Sequence, residues 1–456
     1  MTAGVAAALA LPSLAALLVV WRAASGWRER GAMLPAAIGV AAGAASIPWS
    51  AFFFGGVRSR PALIALDVLV WVAVAAGAAT LLRRGTSRQM PVPAPTAWPV
   101  TVAAIALVMV TGAVAIASFA SASAVFPHGE WDAWAQWNLR ARFFFRGFAD
   151  GTWRDAFAPV LQWSHPDYPL LIPTSVARLW LYEGRDSVAA PIALAGLFAA
   201  VTVAAAGLSV SRARGAARGC LAAACILACP SFVRYAASQC ADIGLGFFML
   251  GAFVLWANAD GSERPRLWLA GAGLSAALAA WTKNEGIAFL GLFVVLLAAE
   301  RMWSRGARGL RDLWPAILGA APVVLMVLYF KLALATSSYF VEEQSLAGAG
   351  ASLADMNRLR LIAESMGREL WLTGARTAGV IPFLCAYVAV MGVRAPAPAA
   401  ARAGAPAMLL MLAIYAIAYL VTPKDLAWQL KTSIDRVVVQ LVPTLVWSVI
   451  SIAGRR

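Results

Sequence analysis

The chain has 456 residues, of which 61% are hydrophobic and 13% charged, and its mean hydropathy is +0.74. That is more apolar surface than a water-soluble fold of this length can hide, so the composition excludes a soluble protein and predicts a polytopic membrane protein. The net charge of +15 is carried by short arginine clusters between apolar runs, a pattern that reads as a topology signal and not as a nucleic-acid footprint.

A helix needs about 20 apolar residues to cross a bilayer. Runs near that length cover 3–21, 33–54, 62–82, 99–119, 188–208, 217–235, 241–256, 267–281, 287–303, 313–334, 371–393, 405–421 and 437–452. They predict an all-α protein with about thirteen transmembrane helices. Residues 1–98 form an N-terminal set of three spans, and 99–456 carry the rest, with a large external loop over 120–187. The first run has no Lys or Arg before Arg22, so it lacks the basic start of a signal peptide and is expected to stay as a span.

Every second loop between these runs is arginine-rich: Arg22, Arg28 and Arg30, then Arg83, Arg84 and Arg88, then Arg212, Arg214 and Arg218. The pattern continues through Arg264 and Arg266, then Arg301, Arg305, Arg308 and Arg311, then Arg394 and Arg402, and ends at Arg455 and Arg456. By the positive-inside rule these loops are cytoplasmic, which puts the N-terminus outside and the C-terminus inside. The lysines are few (Lys283, Lys331, Lys424 and Lys431) and alanine is abundant, a composition typical of a GC-rich bacterial genome. The expected location is a bacterial inner (plasma) membrane. The five cysteines, Cys220, Cys225, Cys229, Cys240 and Cys385, lie in or beside apolar runs without metal-ligand spacing and read as small packed residues.

The parity places the polar chemistry on one side. The fourth run leads into an island holding Gly129-Glu130-Trp131-Asp132 and both histidines of the chain. Acidic groups collected at a membrane boundary point to chemistry. Trp131, Trp134, Asn138, Ala141 and Phe145 recur near helical spacing, as an interfacial helix would require, and residues 168–182 suit a second one. Glu130 and Asp132 fit two roles, helix-capping carboxylates or a general base and metal-ligand pair. The segment His165-Pro166-Asp167-Tyr168-Pro169-Leu170 either breaks the chain before the second helix or orients a substrate.

Three further external corners carry charge. Asp242 leads straight into an apolar run, where a lone carboxylate is costly and calls for a partner or a function. Asp67, inside the third run, raises the same question. In Trp281-Thr282-Lys283-Asn284-Glu285-Gly286, Lys283 either pairs with Glu285 or offers a cation to a lipid phosphate. Before the last run, Lys424, Lys431 and Arg436 stand against the positive-inside trend. A bound phosphate is one reason for them and a surface Asp435–Arg436 pair is the plainer one.

Placed in order, these features resemble the GT-C superfamily of integral-membrane glycosyltransferases. The likeness is strongest to glycosyltransferase family 39, the branch of protein O-mannosyltransferases and lipid A aminoarabinose transferases. The acidic motif after a span is matched by Glu130-Trp131-Asp132. The family's histidine- or lysine-Pro-Pro-Leu motif is matched by His165-Pro166-Asp167-Tyr168-Pro169-Leu170, with the proline pair split by two residues. The stretch Gly184-Arg185-Asp186-Ser187-Val188-Ala189-Ala190-Pro191, then Asp242, then Thr282-Lys283, then Ser433-Ile434-Asp435-Arg436 with Pro443, follow in the family's order.

The resemblance implies transfer of a sugar from a polyprenyl-phosphate donor to an envelope acceptor on the external face, with inversion at the anomeric carbon. Under it, Asp132, Glu130 and Asp242 are the catalytic carboxylates. His165, Asp167, Tyr168, Lys283, Glu285, Lys431 and Arg436 bind substrate. A phosphate leaving group needs charge stabilisation more than protonation, which suits Arg436 and Lys283, and Glu130, Asp132 and Asp242 leave a divalent metal ion open. The expected partners are the polyprenyl-phosphate sugar and membrane lipids, not nucleic acid. Other classes remain in view: a transporter or lipid flippase, a polymerase or ligase using diphosphate-linked donors, and a non-catalytic membrane subunit.

Overall fold

The structure is a computed structural model describing residues 2–82, 96–335, 352–375, 379–393 and 397–454. Six of the arginines used for the topology (Arg83, Arg84, Arg88, Arg394, Arg455 and Arg456) lie outside the described residues, as do residues 336–351.

The described residues are helical throughout, apart from turns and one isolated bridge between Val393 and Ala453. The N-terminal part holds α1 (Ala3–Ala23), α2 (Trp27–Ala44), α3 (Ser46–Phe54) and α4 (Arg60–Leu81). A long helix α5 (Trp98–Val125) leads through a π turn at Ala133–Trp137 into α6 (Asn138–Arg146), and α7 (Leu171–Glu183) follows two short 3-10 turns. Next come α8 (Ala189–Arg214), α9 (Ala216–Leu227), α10 (Pro230–Ala237), α11 (Asp242–Ala259), α12 (Pro265–Thr282), α13 (Asn284–Arg305) and α14 (Trp314–Tyr329). The chain ends in α15 (Met356–Leu372), α16 (Val380–Met391), α17 (Ala399–Leu420) and α18 (Leu426–Ile452).

Nine helical stretches among the described residues are long and apolar enough to cross a membrane, or ten if a bent pair is one span. The expected count of about thirteen is not reached by this criterion, for identifiable reasons. The run 217–235 is broken into α9 and α10, which meet at 64°. Pro230 causes the break: it has no N–H to donate and pushes Cys229 out of the helical region. In the run 371–393 the end of α15 and the 12-residue helix α16 are described, neither long enough within it to count as a span. The nine stretches also count Asn284–Leu334 as one, although Lys331 near its end donates to Asn284 at its start (2.8 Å). That contact requires the chain to reverse direction between α13 and α14, both of which pack against α12.

Helix α11 is the centre of the bundle, buried along nearly its whole length. It packs against α8, α12 and α18, and also touches α2 and α17. Phe198 of α8 meets Phe247 and Phe248 of α11 with ring centroids 5.8 and 5.4 Å apart. In a lipid environment such contacts hold helices together by close packing, since acyl chains are themselves as apolar as the side chains. Helix α5 is peripheral: Val102, Ile105, Met109, Val110, Val114 and Ile116 all point outward. A helix with apolar residues all round and no covering protein is matched to lipid.

The N-terminal helices are pinned to α7 by a buried ion pair. Arg178 donates from Nε and Nη2 to Asp67 Oδ2 (3.0 and 2.7 Å), Tyr182 donates its hydroxyl to the same oxygen (2.6 Å), and Arg178 Nη1 reaches the Ala8 carbonyl (2.9 Å). This is the partner that the sequence left Asp67 without. The residues 168–182 read as an interfacial helix form α7, which is buried over Leu171–Leu181 and packs against α1, α4 and α6.

Polar residues gather at the two ends of the bundle. Asp242 opens α11, and Asn258, about 24 Å further along the helix, bonds Glu29 (3.1 Å) and Arg212 at the other end. Asp260 and Arg301 pair beside them (2.8 Å).

Candidate functional site

The site forms at the Asp242 end, where four distant stretches meet. The local backbone explains how. Gly129 sits at φ +78°, and a Cβ there would lie 2.5 Å from both Ala133 Cβ and the Ser238 carbonyl, so only glycine fits. The next residue, Glu130, donates its N–H to that carbonyl (3.2 Å). Gln239 adopts a left-handed conformation (φ 60°). It donates to the Pro127 carbonyl (3.0 Å) and accepts from Asn138 Nδ2 (3.0 Å). The Ser238–Gln239 corner thus clamps the acidic motif on one side and launches α11, with Asp242 at its start, on the other. Gln239 and His165 (φ 53°) are two of the three non-glycine residues with positive φ among the described residues, and such strained positions tend to collect at functional sites.

Asp242 is fully buried and accepts four hydrogen bonds. Lys283 Nζ (3.0 Å) and Gln440 Nε2 (2.6 Å) reach Oδ1, while Arg436 Nε (3.2 Å) and Nη2 (2.9 Å) reach Oδ2. The remaining nitrogen of that guanidinium, Nη1, donates to Asp132 Oδ2. A carboxylate has about four lone-pair directions, so Asp242 has none left for a substrate. In this arrangement it anchors two cations, Lys283 and Arg436. Asp132, unlike Asp242, keeps 20% of its side chain exposed.

Lys283 also pairs with Glu285 (2.8 Å) and lies over the Tyr168 ring, 6.0 Å from its centroid. Burial alone would lower its pKa, but Asp242 and Glu285 outweigh it and hold the ammonium well above its ordinary value. Its corner depends on Gly286, where a Cβ would fall 1.8 Å from the Ala279 carbonyl, so a side chain would force α13 away from α12. Glu285 Oε2 is buried and has no hydrogen-bond partner.

The His165–Tyr168 segment lines the same end. Asp167 accepts from Asn284 Nδ2 (2.9 Å), and its carbonyl accepts from Lys331 Nζ (2.6 Å). These bonds tie the loop to the Lys283 corner. Tyr168 packs edge-on against Trp137 (5.6 Å) and His165 (5.7 Å). Burial pushes the Tyr168 hydroxyl far above its ordinary pKa. Burial and then Lys424 push the His165 imidazole below its own. Arg140, fully buried, holds the turn from behind by donating to the Ser164 carbonyl. Burial lowers its pKa to about 10, against a smaller upward pull from Asp167 and Tyr168.

Two expected residues fall outside this cluster. Glu130 turns to the rim, where Arg234 grips it with Nε (3.0 Å) and Nη2 (3.2 Å). Its neighbour Tyr235 donates to Asp435 (2.5 Å). Lys431 is exposed on α18, five residues before Arg436 and so about 140° around the helix from it. Glu130, Asp132 and Asp242 therefore do not converge on one point, and among the described residues no three His, Cys, Asp or Glu side chains are grouped to hold a metal ion.

Sequence reasoning missed Gln440, Lys331 and Arg140. Gln440 lies one turn beyond Arg436 and was hidden inside an apolar run. Lys331 gave a usable signal, a lysine near the end of an apolar run, where an unpaired charge is costly. No protein-family profile, no curated protein and no solved structure matches the chain.

Proposed function

We propose that this protein is a membrane-embedded glycosyltransferase that moves a sugar from a polyprenyl-phosphate donor to an acceptor hydroxyl on the external face of a bacterial inner membrane. The observation that carries this reading is the bridge from Asp132 through Arg436 to Asp242, with Lys283 beside it, at one end of the helical bundle. Around it, five cationic side chains (Arg140, Lys283, Lys331, Lys424 and Arg436) accompany four carboxylates (Asp132, Asp167, Asp242 and Glu285). An additional anion is accommodated by such a set.

In this reading the donor phosphate displaces Asp132 from Arg436 Nη1, while Nε and Nη2 stay on Asp242. The freed Asp132 carboxylate takes the proton of the acceptor hydroxyl. The acceptor oxygen bonds to the anomeric carbon as the bond from that carbon to the phosphate oxygen breaks. The electron pair leaves with the phosphate, whose added charge Arg436 and Lys283 stabilise. A single displacement inverts the anomeric carbon. Glu285 Oε2, buried without a partner, is suited to accept from a sugar hydroxyl. In this reading the charge stabilisation is assigned to the side chains of Arg436 and Lys283.

The transporter reading calls for polar groups near the midplane, whereas this cluster gathers at one end of the bundle. The test is purified protein in vesicles supplied with a radiolabelled polyprenyl-phosphate sugar. Release of polyprenyl phosphate with label in an acceptor supports the proposal. Movement of label across the bilayer without bond cleavage, or turnover of diphosphate-linked donors alone, overturns it.

A further inference from the structure

At the opposite end of the bundle, away from the proposed transfer site, an open cleft of about 630 Å³ lies between α5, the α8–α9 junction and α16. Its walls divide by chemistry. One wall is α5, with Val100, Ala104 and Leu107 facing the space over about 10 Å of helix. Val100 and Leu107 are each about half-exposed (53% and 45%), so the cleft opens outward instead of closing into the core. The other side carries Arg214, Arg218 and Tyr387.

The two arginines are held in place. Arg214 Nε donates to the Ser451 carbonyl (2.6 Å) and Arg218 Nη1 to the Ala453 carbonyl (3.2 Å), both at the end of α18. Their guanidinium groups are thus fixed at the level where α8 ends and α5 begins. Trp98, 75% exposed, stands at the start of α5, as an aromatic anchor does at a membrane–water boundary. An apolar trough beneath a fixed guanidinium pair matches one kind of molecule already in the bilayer. Its acyl chain fills the trough, and its phosphodiester meets the planar N–H fork of arginine. Zwitterionic headgroups present a phosphate too, but they bring a cation with it, which the arginines oppose.

We infer that this cleft is a binding site for an anionic glycerophospholipid, with one acyl chain along α5 and the headgroup phosphate on Arg214 and Arg218. The inference is independent of the glycosyltransferase proposal, because it concerns the other end of the bundle.

The experiment uses the full-length protein, stripped of lipid in detergent and titrated with phosphatidylglycerol, phosphatidylcholine or polyprenyl phosphate. Bound lipid is read by native mass spectrometry and melting temperature by thermal shift. Phosphatidylglycerol is expected to bind at least tenfold more tightly than phosphatidylcholine. Arg218→Gln is expected to remove that preference, and Ala104→Phe, which fills the trough without touching the arginines, to weaken phosphatidylglycerol at least tenfold. Equal binding of both phospholipids by the wild type overturns the inference, as does a preference for polyprenyl phosphate. Unchanged phosphatidylglycerol affinity in Ala104→Phe overturns it as well, and that variant decides the matter should Arg218→Gln fail to fold.

Discussion

Arg436 and Asp132, 304 residues apart in the chain, share a hydrogen bond at one end of the bundle, and the same guanidinium is anchored on Asp242 by two more. The two carboxylates therefore differ in kind. Removing the charge of Asp242 takes away the fully buried counterion that Lys283 and Arg436 share and leaves each with one partner, Glu285 and Asp132; breaking comparable buried pairs costs about 3–5 kcal/mol. Asp242→Asn is expected to unfold at markedly lower denaturant or temperature. Asp132→Asn removes a partly exposed partner and is expected to cost about 1 kcal/mol or less. Unfolding curves of the two variants check this ranking, and equal losses would contradict the anchor role.

Asp67 gives a separate prediction. It accepts from Arg178 and Tyr182 in a buried cluster joining α4 to α7. Asp67→Asn is expected to destabilise the protein by about 3–5 kcal/mol. The double variant Asp67→Leu with Arg178→Met removes both charges and is expected to recover part of the loss. Limited proteolysis of the loops between α1 and α4 reads the detachment of the N-terminal helices. A double variant no more stable than Asp67→Asn would argue against the ion pair as the source of the cost.

Gly129 is expected to matter through geometry. Alanine there meets Ala133 and the Ser238 carbonyl at 2.5 Å and must hold a left-handed φ. Gly129→Ala is expected to cost about 1–3 kcal/mol and to displace Asp132, so turnover should fall further than stability does. A transfer assay beside a melting curve separates the two effects, and wild-type turnover in this variant would show that the turn does not position Asp132.

Much of the fold was legible because hydropathy is a strong signal over twenty residues: every apolar run carries helix, and Asp132, Asp242, Lys283 and Arg436 were each singled out. What the sequence did not give was three-dimensional direction. Glu130 and Asp132 stand two residues apart, but the turn that starts at Gly129 sends one to Arg234 at the rim and the other to Arg436. Period alone could not show that Pro230 would split the run 217–235, because the break depends on where the chain goes next. Nor could the burial of residues 168–182, with their arginine, be read from the chain. The deciding fact, an aspartate waiting inside α4, lies more than a hundred positions earlier.

A pH dependence follows from Glu369 on α15. Burial, then the nearby Asp435, raises its pKa from 4.5 to about 7. The folded state thus keeps a proton that the unfolded chain releases, so the contribution of Glu369 to stability is full below pH 4.5 and is lost as pH rises through 7. His165 has the opposite sign: its lowered pKa costs stability below its ordinary value of 6.5. Melting temperature is therefore expected to decline between pH 6.5 and 8 in the wild type and to stay nearly level over that window in Glu369→Gln. An unchanged slope in the variant would assign the titration to another group.

The most direct test of the proposed transfer site is a single-turnover measurement of polyprenyl phosphate release by wild type, Asp132→Asn and Arg436→Lys, all folded to the same extent. Loss of the base is expected to slow release at least a hundredfold. Lysine, which lacks the fork that reaches Asp132 and Asp242 together, is expected to fall well below wild type. Release at the wild-type rate by Asp132→Asn, or no release by the wild type itself, would contradict the account.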